Sequence, residues 1–347
     1  MLNISNQNIK SLVIKNQELL NLLLSITGLE KKWQKENFLE IEIKKCFIRG
    51  ELRYSTVGIN LANLISNTIK LNKKMNSFNY FTRIYPMIHL SEDMSEESKI
   101  HFDQSDNNDL MTCWLTITEN EYSPISILKL QNKYFKKIFS KIHFPNLLMK
   151  PIEPKIGELN FWDGHFLHKG NYNYSKKISC AYQMKFSKNK YNYEFSIEKK
   201  NEFESESLNE KENFSINYDK LKKLTIKLNQ INLKSDNKEL LLKTFNILKE
   251  IFQNKNMPIS FALSVLAQRI FVNGKKFNIS DYLNKSLLYD ICSILLGCEN
   301  LISYDRMCKL SKKNQFNFIE NLNKYDFLKS IPTESYELRE IIKKNNL

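Results

Sequence analysis

The sequence predicts an α+β protein in three parts: amphipathic helices first, an antiparallel β core in the middle, and an all-helical last third. Three observations carry that expectation. Apolar residues recur at helical spacing before residue 75 and again after residue 215. Short runs rich in aromatic and β-branched residues, bounded by turn-type residues, fill the stretch from 78 to 186. All five histidines (His89, His101, His143, His165 and His168) fall inside that middle stretch.

Residues 10 to 30 read as a helix, with Leu12, Ile14, Leu19, Leu20, Leu23 and Leu24 as its apolar positions. The alternation in Phe38-Leu39-Glu40-Ile41-Glu42-Ile43 reads as a half-buried strand. Tyr54 to Lys74 returns to helical spacing through Ile59, Leu61, Leu64, Ile65 and Ile69. Five strands follow: Phe78 to Leu90, Met111 to Thr118, Ser126 to Leu130, Leu159 to Trp162, and Ile178 to Phe186. From Glu198 to Asn213 the chain is charged and poor in apolar residues, as in a linker or exposed loop. Helical stripes then run through Leu221 to Ile231, Leu240 to Phe252, Ile259 to Phe271 and Tyr282 to Leu296, the last followed by Gly297 as a C-cap. The implied organisation is a first domain over 1–197, a linker over 198–215 and a helical domain of unassigned role over 216–347.

At 347 residues the chain can bury a large core. Its formal charge of +14 is spread over both halves in short runs such as Lys31-Lys32 and Lys275-Lys276. No nucleic-acid-binding motif accompanies them, so a solvated basic surface is expected and a nucleic-acid partner is not. The six cysteines show no paired C-x-x-C spacing, and Cys113 and Cys180 sit in apolar runs, which suits reduced thiols in a cytoplasmic protein. The N-terminus lacks the pattern of a signal peptide, and no apolar run is long enough to span a bilayer. Eight glycines and no G-x-G-x-x-G argue against a dinucleotide-binding fold. Nothing in the sequence fixes an oligomeric state.

The chemistry concentrates in two places. His101-Phe102-Asp103 is an H-x-D, and on a strand positions i and i+2 share a face, so its imidazole and carboxylate converge. Fifty-odd residues later begins Gly157-Glu158-Leu159-Asn160-Phe161-Trp162-Asp163-Gly164-His165-Phe166-Leu167-His168. Two imidazoles and one carboxylate on one face of a metal leave positions open, the ligand set of non-haem Fe(II) oxygenases. His168, which follows the turn at Asp163-Gly164, and His165 are the candidates for the second imidazole. Trp114 and Thr116 alternate on one strand and are candidates to line the site or to pack in the core.

The run from Gly157 to Phe186 resembles the distal half of the phytanoyl-CoA-dioxygenase-like branch of the Fe(II)/2-oxoglutarate oxygenases. There a turn of the type in Gly157 to Asp163 precedes the distal histidine, and an H-x-G-x-x-N turn follows it, matched by His168-Lys169-Gly170-Asn171-Tyr172-Asn173. His101-x-Asp103 is similar to the proximal half. The resemblance covers residues 75 to 190, and within the branch it leans toward bacterial members that accompany carbohydrate gene clusters.

It implies a double-stranded β-helix (jelly-roll or cupin-like) core that holds Fe(II) through His101, Asp103 and His168, takes 2-oxoglutarate and O2, and hydroxylates a small-molecule or carbohydrate-type substrate. The family's R-x-S, whose arginine pairs with the far carboxylate of 2-oxoglutarate, is represented by Lys177-Ile178-Ser179 in a shortened turn. Lysine supplies the charge without the two-pronged geometry of a guanidinium. Arg83 is the alternative cation. Two other readings stay open: a metal-dependent cupin-like isomerase or epimerase acting on a sugar, and a non-enzymatic jelly-roll scaffold with a helical docking module.

Overall fold

The computed structural model describes residues 2–29, 34, 36–82, 84–90, 100–101, 103, 110–119, 122–128, 149–164, 166–189, 197–199, 218–233, 237–252, 256–276 and 282–296. The chain opens with strand β1 (Leu2–Ser5) and three helices, α1 (Gln7–Thr27), α2 (Phe38–Tyr54) and α3 (Thr56–Leu71). Nine strands follow: β2 (Tyr80–Thr82), β3 (Tyr85–His89), β4 (Leu110–Thr116), β5 (Ile125–Leu128), β6 (Lys150–Ile152), β7 (Glu158–Asp163), β8 (Leu167–Gly170), β9 (Ser179–Ser187) and β10 (Ile197–Lys199). Helices α4 (Tyr218–Asn229), α5 (Asn237–Ile251), α6 (Met257–Lys276) and α7 (Tyr282–Leu295) complete the described chain. The charged segment predicted as a linker lies, beyond residue 199, outside the described residues, as do Gly297 and everything after it.

Local chemistry explains the helix ends. The Asn6 side chain accepts from the Asn8 N–H and caps α1, which ends at Gly28 in the left-handed region (φ +55°). Ser55 does the same for α3 by accepting from the Gly58 N–H at 3.0 Å. The buried positions of α1 (Ile9, Val13, Asn16, Leu20, Leu23 and Thr27) recur every three or four residues, the stripe expected from the sequence.

The strand expected over Phe38 to Ile43 is instead the first turns of α2. Alternation over six residues cannot by itself separate the two periods when both faces end up buried. α2 is covered nearly all round, so Glu42, Lys44, Lys45 and Arg49 are buried along with Ile41 and Phe47. Tertiary packing then overrides the local preference of isoleucine for strands. Gly50 shows how closely the neighbouring helix approaches: a β-carbon there would lie 2.3 Å from the Pro258 carbonyl oxygen of α6. Glu42 accepts from Lys45 at 2.9 Å and from Arg269 of α6 at 3.1 Å, so one carboxylate ties α2 to α6.

Glu51, also on α2, has no charged partner among the described residues, and burial pushes its carboxyl up to about 8. Its ordinary value is 4.5. Between those two values the folded chain keeps a proton that the unfolded chain has lost, so stability falls as pH rises through that window. Glu51→Gln is therefore expected to melt higher than the parent protein at pH 8 and to match it at pH 4. Identical melting differences at both pH values would remove Glu51 as the cause.

The β core is mixed with the helices, antiparallel, and consistent with a jelly-roll-like architecture. One sheet runs β1-β7-β4-β9-β2-β10, with β3 also paired to β9; the other runs β6-β5-β8. From β4 onward the chain passes between the sheets: β4 in the larger, β5 and β6 in the smaller, β7 in the larger, β8 in the smaller, β9 in the larger. The run Phe78 to Leu90 expected as one strand is broken into β2 and β3, and β1, β6 and β8 are too short to show a pattern in sequence.

The larger sheet has two different faces. Its outer face, with Cys113, Leu115, Leu159, Phe161, Cys180, Tyr182, Met184 and Phe186, joins one apolar core with residues of α1–α7. The Tyr182 hydroxyl donates to the Asn16 side chain at 2.5 Å, anchoring β9 to α1. Its inner face supplies Trp114, Trp162 and Ala181 to a second, smaller cluster with Ile125 and Ile127 of β5. Cys46, Cys113, Cys180 and Cys292 are buried free thiols, as the sequence suggested for cysteines in apolar runs. Among the described residues, no helix is long and apolar enough to cross a membrane.

Candidate metal centre

His101 and His168 exchange both backbone hydrogen bonds, each N–H donating to the other's carbonyl at 3.0 Å. That pairing puts the two side chains on one face of the smaller sheet. Their rings lie 4.3 Å apart, centroid to centroid. Asp103, two residues on from His101, reaches the same place: its Oδ2 is 3.6 Å from His168 Nε2. One ligand atom from each of His101, Asp103 and His168 lies within 4.8 Å of the others, and this is the group of such side chains found among the described residues.

The donor set fits a divalent metal ion. The Nδ1 of His168 lies 3.1 Å from the Phe166 carbonyl, an acceptor only, so Nδ1 carries the proton and the Nε2 lone pair faces Asp103. Fixing the outer nitrogen in this way is how a ligating histidine is oriented. Burial pushes the His168 imidazole below its ordinary value, against the pull of Asp103 upward, and the neutral ring is the ligating form. Burial alone would raise Asp103, but Lys185 and His168 beside it outweigh that and hold it below its ordinary value. Asp103 therefore presents an anionic oxygen, the remaining requirement of a two-histidine, one-carboxylate face.

His101 is exposed, while the surroundings on the His168 side are buried and aromatic. Trp162 packs 5.8 Å from His168, and Trp114 lies 6.5 Å from Trp162. Trp114, Thr116 and Trp162 are nearly fully buried, and their side-chain N–H or O–H groups have no hydrogen-bond partner among the described residues. His89 closes the row, 6.2 Å from Trp114, and burial keeps its imidazole down to about 4 and so neutral.

The other sequence-predicted residues are placed as follows. Ser179, at the start of β9, is buried and hydrogen-bonds the Tyr122 hydroxyl at 2.8 Å. Burial raises the Tyr122 phenol to about 12, so it stays protonated. Lys177 is exposed, with its carbonyl accepting from Asn173 at 2.9 Å and Ser175 at 3.0 Å. The buried Asn173 side chain also donates to the Leu90 carbonyl, pinning the turn after His168 to the end of β3. Arg83, His143 and His165 lie outside the described residues.

Sequence reasoning missed Lys185 and Thr112. Lys185 Nζ sits 2.6 Å from Asp103 Oδ1, and the Thr112 hydroxyl donates to Oδ2. The signal was available: the alternation that turns Ser179 inward also turns Lys185 inward, and Thr112 shares the face of Trp114 and Thr116. Tyr122 carried no such signal, since it sits in a polar turn outside any repeating pattern.

No protein-family model and no curated protein matches the chain. Among solved structures it is similar to the non-haem alpha-ketoglutarate-dependent carbocyclase SnoK from nogalamycin biosynthesis, at 10% identity over 38% of this chain and 58% of that one (TM-score 0.29). It is similar to EvdO2 from Micromonospora carbonacea var. aurantiaca complexed with 2-oxoglutarate, at 12% identity over 43% and 64% (TM-score 0.28). A third is a Pseudomonas putida prolyl-4-hydroxylase, at 11% identity over 45% and 82% (TM-score 0.28). The chain thus spans less than two thirds of the length of the first two. Likenesses this distant assign no residue a role. The donor set of this chain fits Fe(II) with positions left open, as O2 chemistry requires.

Proposed function

We propose that the protein is a non-haem Fe(II)/2-oxoglutarate-dependent dioxygenase that hydroxylates a small-molecule or carbohydrate-type substrate on a double-stranded β-helix core. The observation that carries this reading is the convergence of His101, Asp103 and His168 within 4.8 Å of one another. His101, Asp103 and His168 would hold the metal. Bound there, Fe(II) supplies activation of O2 coupled to decarboxylation of 2-oxoglutarate to succinate, with one oxygen atom delivered to a C–H bond.

The chain's own part is to orient and to exclude. His168 is fixed through its Nδ1, and Asp103 through Lys185 and Thr112. Trp114, Trp162, Ile125 and Ile127 keep water from the interior, which strengthens charge interactions inside it. For the far carboxylate of 2-oxoglutarate we propose Lys177 with Ser179, and Arg83 as the alternative cation. The neighbouring Tyr122 hydroxyl stands beside Ser179 as a further donor.

The test is succinate release by the purified protein supplied with Fe(II), 2-oxoglutarate and O2, with and without a panel of sugars and small metabolites. Succinate release is expected with 2-oxoglutarate present and not when 2-oxoglutarate or Fe(II) is left out. Lys177→Ala is expected to weaken 2-oxoglutarate by about tenfold, the loss of one exposed charge-assisted contact. Unchanged affinity in that variant moves the role to Arg83. Metal retention with no 2-oxoglutarate turnover under any condition overturns the oxygenase reading.

A further inference from the structure

Thr112 on β4 and Lys185 on β9 are direct cross-strand neighbours, and their side chains leave the larger sheet from the same face. Asp103 is carried elsewhere, two residues beyond the segment that bridges to β8 in the smaller sheet. The two side chains of the larger sheet each take one oxygen of that carboxylate: Lys185 Nζ holds Oδ1 at 2.6 Å, and the Thr112 hydroxyl donates to Oδ2. Oδ2 is also the oxygen that faces His168 Nε2. The Asp103 side chain is only 3% exposed and Lys185 13%, while Thr112 is fully buried.

We propose that Lys185 and Thr112 form a positioning clamp that fixes the Asp103 carboxylate for metal binding, with Oδ1 tied to the lysine and Oδ2 turned to the metal. The proposal rests on the metal-site reading above. An aspartate side chain has two free torsions, and a carboxylate sealed from water with no counter-charge is costly to bury. The clamp removes both problems at once. One contact sets the direction of the carboxylate, the other supplies the opposite charge, and because both come from the facing sheet they join the two sheets at the centre. Neighbours that orient a metal ligand in this way are each worth about 10–100-fold in metal affinity.

The probe is Co(II), titrated into the full-length metal-free protein and followed by its visible d–d absorption, with thermal melting of each metal-free variant as the folding control. Lys185→Met is expected to lower Co(II) affinity by about 10–100-fold, and so is Thr112→Val, which keeps the shape and removes the hydroxyl. Thr112→Ser, which keeps the donor, is expected to bind as the parent protein does. A purely structural role would lower the melting point while leaving Co(II) affinity alone. Parent-like or tighter binding by a folded Lys185→Met protein overturns the proposal, and if that variant does not fold, parent-like binding by Thr112→Val does. No Co(II) binding by the parent protein, by contrast, removes the metal-site reading itself and the clamp with it.

Discussion

His168→Ala is expected to lower 2-oxoglutarate-dependent succinate release by at least about 1000-fold, equivalent to about 4 kcal/mol in the barrier. The expectation follows from geometry. His168 presents the buried Nε2 beside Asp103, its Nδ1 is committed to the Phe166 carbonyl, and its backbone is paired to His101 on both sides. No other imidazole among the described residues occupies that place: His89 lies beyond Trp114, in the row that leads away from the centre. Truncation to alanine leaves the His101 pairing intact, because that pairing is made by backbone atoms. The variant is therefore expected to remain folded while losing the metal. His165→Ala is expected to keep its turnover, and the pair of variants decides between the two histidines of the Asp163–His168 segment. Full turnover in His168→Ala would sink the proposed centre outright.

Glu42→Ala is expected to cost the fold about 3–5 kcal/mol, the range for breaking a buried ion pair from one side. That is a large share of the 5–15 kcal/mol that holds a typical domain together. Glu42 is 1% exposed and lies within reach of three cations: Lys45 at 2.9 Å, Arg269 at 3.1 Å and Arg49 at 4.0 Å. Burial by itself would raise its carboxyl, but Lys45, Arg269 and Arg49 bring it down to about 2. Burial also pushes the Lys45 ammonium below its ordinary value, with Arg49 and Arg269 adding to that and Glu42 opposing it. Removing the carboxylate would leave three cations facing one another between α2 and α6. Urea unfolding at neutral pH measures the loss. The sign with pH is fixed by the same shift: the stability that Glu42 adds is present above its ordinary value of 4.5 and is lost as pH falls toward about 2. The parent and Glu42→Ala curves should therefore converge in acid. A loss under 1 kcal/mol at neutral pH would show that the cluster is solvated rather than sealed.

The segments legible in the sequence were those whose pattern has one interpretation. The stripe of α1 gave its element because one face meets an apolar core and the other does not, whereas Met111 to Thr118, buried on both faces, was legible from its aromatic and β-branched residues between turn-type residues. α2 was misread for the opposite reason. Its charges are buried with its isoleucines, and the partner that makes this tolerable, Arg269, lies 227 residues away in sequence. The site divided in the same manner. His101 and Asp103 announce themselves by spacing, and a turn before and after His168 marks that residue. Lys185 and Thr112 are ordinary strand residues until β4 and β9 pair and bring them opposite one another.

By itself the sequence determined that histidine chemistry must lie between residues 89 and 168, that a β core surrounds it, and that helices flank that core. Only the tertiary structure decided which carboxylate oxygen faces which imidazole, because that depends on a backbone bridge between His101 and His168. It also decided that the charge beside the carboxylate comes from Lys185. The physical reason is the same in both cases. Periodicity reports which face of an element is buried, whereas a metal centre requires side chains from segments far apart in the chain to meet within a few ångströms, and strand pairing alone sets that distance.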